Sequence, residues 1–314
     1  MAAFQGFPHV LETQQFTRKW LEEKLFPLAR EKRLSVQARY EDIPTLLRGK
    51  GMATLFYEPS TRTRLSFETA MHRLGGWVVS TENASEFSSA VKGETLEDTI
   101  RVLNGYRPAV IVLRHPEEGA AKRAARISEA AIINAGDGTG QHPTQALLDI
   151  FTIQEEIGRI DNISVALVGD LVLGRTVHSL VYLLGKFINV RLFLVSPPNL
   201  RMRSDIKEYL AQHDISFTEH TDLRTVASQV DVIYQTRTQT ERGSSLAKAQ
   251  PEDIFCMVDA QILNLMHPHS IIMHPLPRNE EISPEVDKNP RAAYFRQAQN
   301  GLYVRMALLQ MILG

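Results

Sequence analysis

Short runs of β-branched and aliphatic residues alternate along this chain with stretches of helical periodicity, and few architectures accommodate that alternation. Strands are predicted at 53–57, 109–113, 130–134, 164–168, 191–195, 216–219, 232–234 and 271–273. After the first of them, Phe67, Ala70, Met71 and Leu74 recur at helical spacing, and Gly75-Gly76 ends the run. Leu147, Leu148 and Phe151 mark one face of a second helix that opens at Pro143, where a missing N–H is harmless. A parallel neighbour can be reached only by a crossover, usually helical, so strand–helix alternation predicts parallel sheets. At 314 residues the chain exceeds one ordinary core. The expected fold class is α/β: two doubly wound parallel-sheet domains with a C-terminal helix. The boundary falls near 158–162, giving domains 1–157 and 158–293, with the apolar helix 294–314 able to join the first.

Lys and Arg number 35 against 36 Asp and Glu, so no global positive field draws nucleic acid and any anion must be captured locally. A single cysteine, Cys256, excludes an internal disulfide and a multi-cysteine zinc site, and it points to a reducing compartment. The first residues lack the basic and apolar regions of a secretory signal. The longest apolar runs, such as 109–113 and 180–184, fall far short of the roughly 20 residues a membrane span needs. A cytoplasmic protein without membrane or nucleic-acid partners is expected.

Polar residues gather just after the predicted strands. The clusters are Glu58 to Arg64, Arg114-His115-Pro116, Gly140 to Gln145, Gly169 to Arg175, Thr236 to Arg242, and His274-Pro275-Leu276-Pro277-Arg278. Ligands of open α/β sheets bind outside the carboxyl ends of the strands, so the clusters read as one composite site. Ser60-Thr61-Arg62-Thr63-Arg64 opens a helix, where backbone N–H groups, hydroxyls and two guanidinium groups suit a phosphate. Basic residues in a first turn oppose the helix dipole, so a bound anion explains the arginine pair better than capping does.

His142 and Gln145, three apart at a helix start, share a face; the dipole would keep the imidazole neutral and able to donate to a carbonyl oxygen. Taken alone, His142 is better explained as a cap of its helix, and Arg114 can equally be one half of a surface ion pair. The turn from Gly169 to Thr176 nearly fits a P-loop, but Asp170 beside the would-be phosphates and three bulky apolar residues argue against a nucleotide. Arg175 there reads as a carboxylate binder at a helix start. Arg237 and Gln239, two apart in an extended segment, project to one side. The prolines of His274-Pro275-Leu276-Pro277 stiffen a turn whose carbonyls suit an ammonium or amide group.

Taken in order, several motifs resemble the catalytic chain of the aspartate carbamoyltransferases over nearly the whole sequence. They are Ser-Thr-Arg-Thr-Arg with Ser66-Phe67-Glu68, Lys92-Gly-Glu-Thr-Leu, His-Pro-Thr-Gln, Gly-Asp-Leu-x-x-Gly-Arg-Thr-Val-His-Ser, Thr-Arg-x-Gln-x-Glu-Arg and His-Pro-Leu-Pro-Arg. The resemblance implies transfer of the carbamoyl group of carbamoyl phosphate to the amino group of L-aspartate, a step of pyrimidine biosynthesis that needs neither cofactor nor metal. It assigns Ser60, Thr61, Arg62, Thr63 and Arg114 to the phosphate, and Thr63, Arg114 and His142 to the carbamoyl oxygen. Gln145 takes the carbamoyl amide. Arg175, Arg237 and Gln239 take the aspartate carboxylates, and the backbone at Pro275 and Leu276 completes the set.

The resemblance also implies a homotrimer with shared active sites. The loop 82–93 would enter a neighbouring chain, bringing Ser88 and Lys92 to carbamoyl phosphate and Lys92 to aspartate as well. Regulatory subunits or fused domains are compatible partners. Ornithine carbamoyltransferases share the first-half motifs but carry His-Cys-Leu-Pro and Ser-Met-Gly, and Ser-Met-Gly is absent here. Ornithine transfer is one alternative, and a catalytically silent subunit of the same fold is another. The stretch 243–250 departs from the family pattern, which bears on domain closure and aspartate affinity.

Overall fold

The computed structural model describes residues 8–38, 45–237 and 256–314. The chain divides into two compact units, Met1–Leu147 with Gln299–Gly314, and Leu148–Ala298. The first opens with a helical turn, α1 (Arg18–Trp20), which runs through a π turn at Leu21–Leu25 into α2 (Phe26–Gln37). There follow β1 (Gly51–Phe56), α3 (Thr61–Arg73), β2 (Trp77–Thr81), α4 (Ala84–Phe87), α5 (Leu96–Tyr106), β3 (Val110–His115), α6 (Ala120–Ala125), β4 (Ala131–Asp137) and the start of α7 (Pro143–Ile157), whose residues from Leu148 onward belong to the second unit. All pairings in the sheet are parallel, in the order β2-β1-β3-β4. Every residue of β1 is buried, as a central strand of a covered parallel sheet requires. On α3, the apolar stripe Phe67, Ala70, Met71 and Leu74 is buried. Each large side chain of that stripe contributes roughly 2 kcal/mol by leaving water.

The second unit contains β5 (Ser164–Val168), α8 (Arg175–Leu184), β6 (Arg191–Val195), α9 (Ser204–Gln212), β7 (Ser216–His220), β8 (Val232–Gln235), α10 (Ala260–Leu265), β9 (Ile271–Met273) and the start of α11 (Tyr294–Leu313). Its sheet is also all parallel, in the order β7-β6-β5-β8-β9. The expected two parallel-sheet α/β domains and C-terminal helix are therefore present. The division at Ala298 falls inside α11: Tyr294 belongs to the core of the second unit, and residues from Gln299 onward belong to the first. Among the described residues, no helix is long and apolar enough to cross a membrane.

Both strand orders reverse direction once. The first sheet grows from β1 to β2 on one side and through β3 to β4 on the other; the second grows from β5 through β6 to β7, then from β8 to β9. Crevices in such sheets lie at that reversal, outside the carboxyl ends of the two strands that flank it. The flanking pairs are β1 with β3 and β5 with β8. The segments that follow them carry Ser60 to Thr63 and Arg114 in one unit, and Arg175 and Arg237 in the other.

Candidate active site

In the first unit, Ser60 precedes α3 with φ −161° and ψ 88°, and its hydroxyl does not cap the helix. The first-turn N–H groups of a helix have no intrahelical acceptor, and this turn contains no acidic side chain to neutralise them. Thr61 and Arg62 are exposed there, while Thr63 is buried. Arg114, at the end of β3, reaches across: Nε lies 3.2 Å from Glu58 Oε2, and Nη1 donates to Ser60 Oγ at 3.3 Å. The ion pair expected of Arg114 is present, and Glu58 holds the guanidinium toward the start of α3. Beside it, His115 is buried against the Tyr57 ring, and burial lowers its pKa.

The expected arginine pair is corrected. Arg64 Nη1 donates to Glu68 Oε1 at 3.2 Å and to Ser80 Oγ at 3.2 Å, and Nη2 donates to Glu82 at 2.8 Å. Residues two apart on a helix face different ways, so Arg64 is drawn to the β2 side and Arg62 stays with Ser60 and Thr61 at the start of α3. A third arginine, missed in the sequence reading, supports that turn from α11. Arg305 is buried over the Phe67 ring and donates from Nη1 to Ser66 Oγ at 2.8 Å; Ser66 in turn lies 2.6 Å from the carbonyl oxygen of Arg62. A lone arginine inside the apolar run Tyr303 to Leu309 was the available signal.

His142 and Gln145 stand at the start of α7, both buried. The His142 carbonyl accepts the N–H groups of Gln145 at 3.0 Å and Ala146 at 3.2 Å, so the residue begins the helix through its backbone, while its ring Nδ1 lies 3.5 Å from Thr144 Oγ1. Asp137 shapes the preceding turn, accepting from Gln141 N at 2.9 Å and Gly119 N at 2.8 Å. Gln141 Oε1 accepts from Thr13 N at 2.8 Å, which braces the turn from the N-terminal segment. Ser88 and Lys92 lie in the loop after the edge strand β2. The Ser88 hydroxyl bonds within that loop, to Ala84 O and Ala90 N, and Lys92 is exposed.

In the second unit, Gly169 follows β5 at φ +105°; a Cβ there would come within 2.4 Å of Thr236 O. Its absence lets the β8 end close on β5, with Thr236 N donating to Val168 O at 2.8 Å, and so sets Arg237 beside the turn that leads to α8. Asp170 is buried and accepts from Leu173 N at 2.9 Å, a local turn role in place of any phosphate contact. His178 lies 2.8 Å from Leu171 O, and burial holds its pKa below the ordinary value. Arg175, 3% exposed, begins α8. A buried cation at the positive end of a helix opposes the helix dipole. Gln239 and the stretch 243–250 lie outside the described residues.

After β9, His274 is buried and rigidly engaged. Its Nδ1 accepts from Leu276 N at 2.8 Å, which leaves Nε2–H to donate to Glu281 Oε1 at 2.8 Å. The bond to Leu276 holds that residue at φ +54°, a conformation costly for a branched side chain. Burial pushes the Glu281 carboxyl up, but hydrogen bonds from His274 and from backbone N–H groups outweigh it and leave its pKa below the ordinary 4.5. The pair therefore stabilises the fold fully above about pH 4.5 and loses that contribution as pH falls through the depressed value. Urea unfolding of wild type and Glu281→Gln should diverge at neutral pH and converge in acid; a gap independent of pH would refute this.

The chain is thus a two-domain α/β protein: one unit sets Arg62 and Arg114 at an uncapped helix start, and the other begins a helix with the buried Arg175. Residues 8–155 match the family model of the aspartate/ornithine carbamoyltransferase carbamoyl-P binding domain, and residues 161–312 match that of the Asp/Orn binding domain. The chain is 55% identical to the chloroplastic aspartate carbamoyltransferase of Oryza sativa subsp. japonica, over 100% of this chain and 87% of that one. It is 47% identical to the multifunctional protein pyr1-3 of Dictyostelium discoideum, over 98% of this chain and 13% of that polypeptide. The solved aspartate transcarbamoylase of Trypanosoma cruzi in complex with carbamoyl phosphate and aspartate matches with a TM-score of 0.91 at 41% identity, covering 100% of this chain and 98% of that one. The chain belongs to the aspartate/ornithine carbamoyltransferase family, on its aspartate carbamoyltransferase branch.

Proposed function

We propose that this chain transfers the carbamoyl group of carbamoyl phosphate to the amino group of L-aspartate, giving N-carbamoyl-L-aspartate and phosphate. The observation that carries this reading is the placement of an uncapped helix start with Arg62 and Arg114 at one sheet reversal and of Arg175 and Arg237 at the other. Ser60, Thr61, Arg62, Thr63 and Arg114 hold the phosphate. Thr63, Arg114 and His142 donate to the carbamoyl oxygen as it becomes a tetrahedral oxyanion. Gln145 orients the carbamoyl amide. Arg175, Arg237 and Gln239 take the aspartate carboxylates, with the backbone of Pro275 and Leu276 beside the amine. The amine attacks the carbamoyl carbon, the C–N bond forms, the C–O bond to phosphate breaks, and the departing phosphate accepts the amine proton. Orientation of two bound anions supplies most of the acceleration.

On this reading residues 1–157 with helix 294–314 form the carbamoyl phosphate domain and 158–293 the aspartate domain. The decisive assay measures carbamoylated product from carbamoyl phosphate with aspartate and ornithine in parallel. Turnover with aspartate alone is expected; turnover with ornithine, or with neither, would overturn the assignment.

The assembly we propose is a homotrimer in which Ser88 and Lys92 serve a neighbouring chain. Edge strand β2 and the loop after it support this by exposing Trp77, Val79, Phe87 and Val91, a concentration of apolar surface at an unpaired sheet edge. Lys92→Ala and Arg62→Ala chains should each be inactive alone. Mixed at equal amounts, they should recover activity at about a quarter of their sites, where a sound Arg62 meets a neighbour's sound Lys92. Verified mixed trimers without recovery would rule out sharing. The single cysteine supports a cytoplasmic location; the rice relative is named chloroplastic, so a stromal location is the outcome that would replace it. The Dictyostelium relative supports fused domains as partners in some proteins of this family.

A further inference from the structure

Behind the aspartate-side turn lies a buried polar network to which the proposed reaction assigns no role. Asp149, on α7 and fully buried, accepts from Tyr234 Oη at 2.7 Å and from Gln297 Nε2 at 2.7 Å. Gln297, buried on α11, accepts the His274 N–H through Oε1 at 2.8 Å. His274 in turn bonds Leu276 N and Glu281. Every member belongs to the unit Leu148–Ala298. One carboxylate is therefore bonded to β8, three residues before Arg237, and through one amide to the turn that carries Pro275 and Leu276.

Buried polar groups of this kind are no more stabilising than well-packed apolar ones, but a fully bonded set fixes a single geometry. Here the geometry it fixes is the spacing between Arg237 and the Pro275–Leu276 backbone. An amide linker is well suited to this: Gln297 donates to Asp149 with one end and accepts from His274 with the other, so a shift of either element breaks a bond. We infer that Asp149 is a positioning residue for aspartate, setting the side-chain and backbone halves of the aspartate subsite against each other. The inference rests on the reading of Arg237, Pro275 and Leu276 given above.

The test exchanges the polarity of the link in the full-length chain. Asp149→Asn leaves an acceptor for Tyr234 but turns an amide donor onto the Gln297 amide. Gln297→Glu keeps the acceptor for His274 but sets a second carboxylate against Asp149. In the double variant D149N/Q297E the donor and acceptor have changed places, and the bonds to Tyr234, between positions 149 and 297, and to His274 N can re-form. Each single variant should raise the KM for aspartate about tenfold or more and leave that for carbamoyl phosphate within about twofold. The double variant should return the aspartate KM to within about threefold of wild type. Unchanged aspartate KM in the singles, equal loss for both substrates, or a double variant no better than the worse single would overturn the inference. Tyr234→Phe, which deletes one hydroxyl, carries the test if the singles do not fold: a normal aspartate KM there would overturn it as well. Arg237→Ala in the same assay separates the two levels. If its aspartate KM is normal, or if wild type carbamoylates no aspartate, the functional reading falls; if Arg237→Ala is impaired and the Asp149 series is not, the positioning role alone falls.

Discussion

Arg62→Ala is expected to lower kcat/KM for carbamoyl phosphate about a thousandfold or more, with the protein still folded. Arg62 sits exposed in the first turn of α3, where the helix end is already positive. In the absence of an anion a cation there is disfavoured by the helix dipole by about 0.3–1 kcal/mol. With phosphate present, a planar guanidinium matches two oxygens at once, and the interaction strengthens as the leaving group gathers charge. That differential is why kcat should fall and not KM alone. Arg64 is the internal control. Its guanidinium is engaged by Glu68, Ser80 and Glu82, so Arg64→Ala should loosen the β2 edge and lower Tm while changing carbamoyl phosphate use far less. Near-normal turnover of Arg62→Ala would remove the phosphate assignment.

The contrast between those two arginines shows what a sequence discloses. Helix starts are legible because their chemistry is local: a Ser-Thr-Arg run after a strand, or a His-Pro after another, announces itself within a few residues, and α3 and α7 begin where the pattern placed them. Central strands are legible because burial on both faces demands a continuous apolar run, as in β5. Strand β2 escaped that signal. It follows Gly75-Gly76 closely, lies at a sheet edge, and mixes exposed with half-buried residues in Trp-Val-Val-Ser-Thr, so only its β-branched composition spoke for it.

Which of two neighbouring arginines faces the ligand depends on partners from β2 and the following loop, information that a linear motif does not hold. Arg305 and Ser66 meet across 239 positions, and Asp149 and Gln297 across 148, separations that no local pattern registers. The residues proposed to touch ligand come from local motifs, whereas the contacts that hold their elements in place emerged only with the fold. Gln239 and the unusual stretch 243–250 lie outside the described residues, and their roles stand as the resemblance implies.

Arg175→Ala should raise the KM for aspartate about a hundredfold and leave carbamoyl phosphate affinity close to wild type. The side chain is buried at the first position of α8, in a turn whose backbone is held by Asp170 to Leu173 N and by His178 at Leu171 O. Those bonds do not involve the guanidinium, so the turn should survive the substitution. Removing the cation from the positive helix end also relieves repulsion of about 0.3–1 kcal/mol, which offsets part of the lost packing. What goes is a charge-assisted, two-point contact with a carboxylate, worth about 3 kcal/mol when shielded from water. Arg175→Lys sharpens the test, since a lysine retains the charge but not the planar fork, and only partial recovery is expected. Had the turn been a nucleotide loop, the same variant would abolish thermal stabilisation by ATP and spare aspartate. The ratio of the two KM changes therefore decides between a carboxylate subsite and a phosphate loop at this helix start.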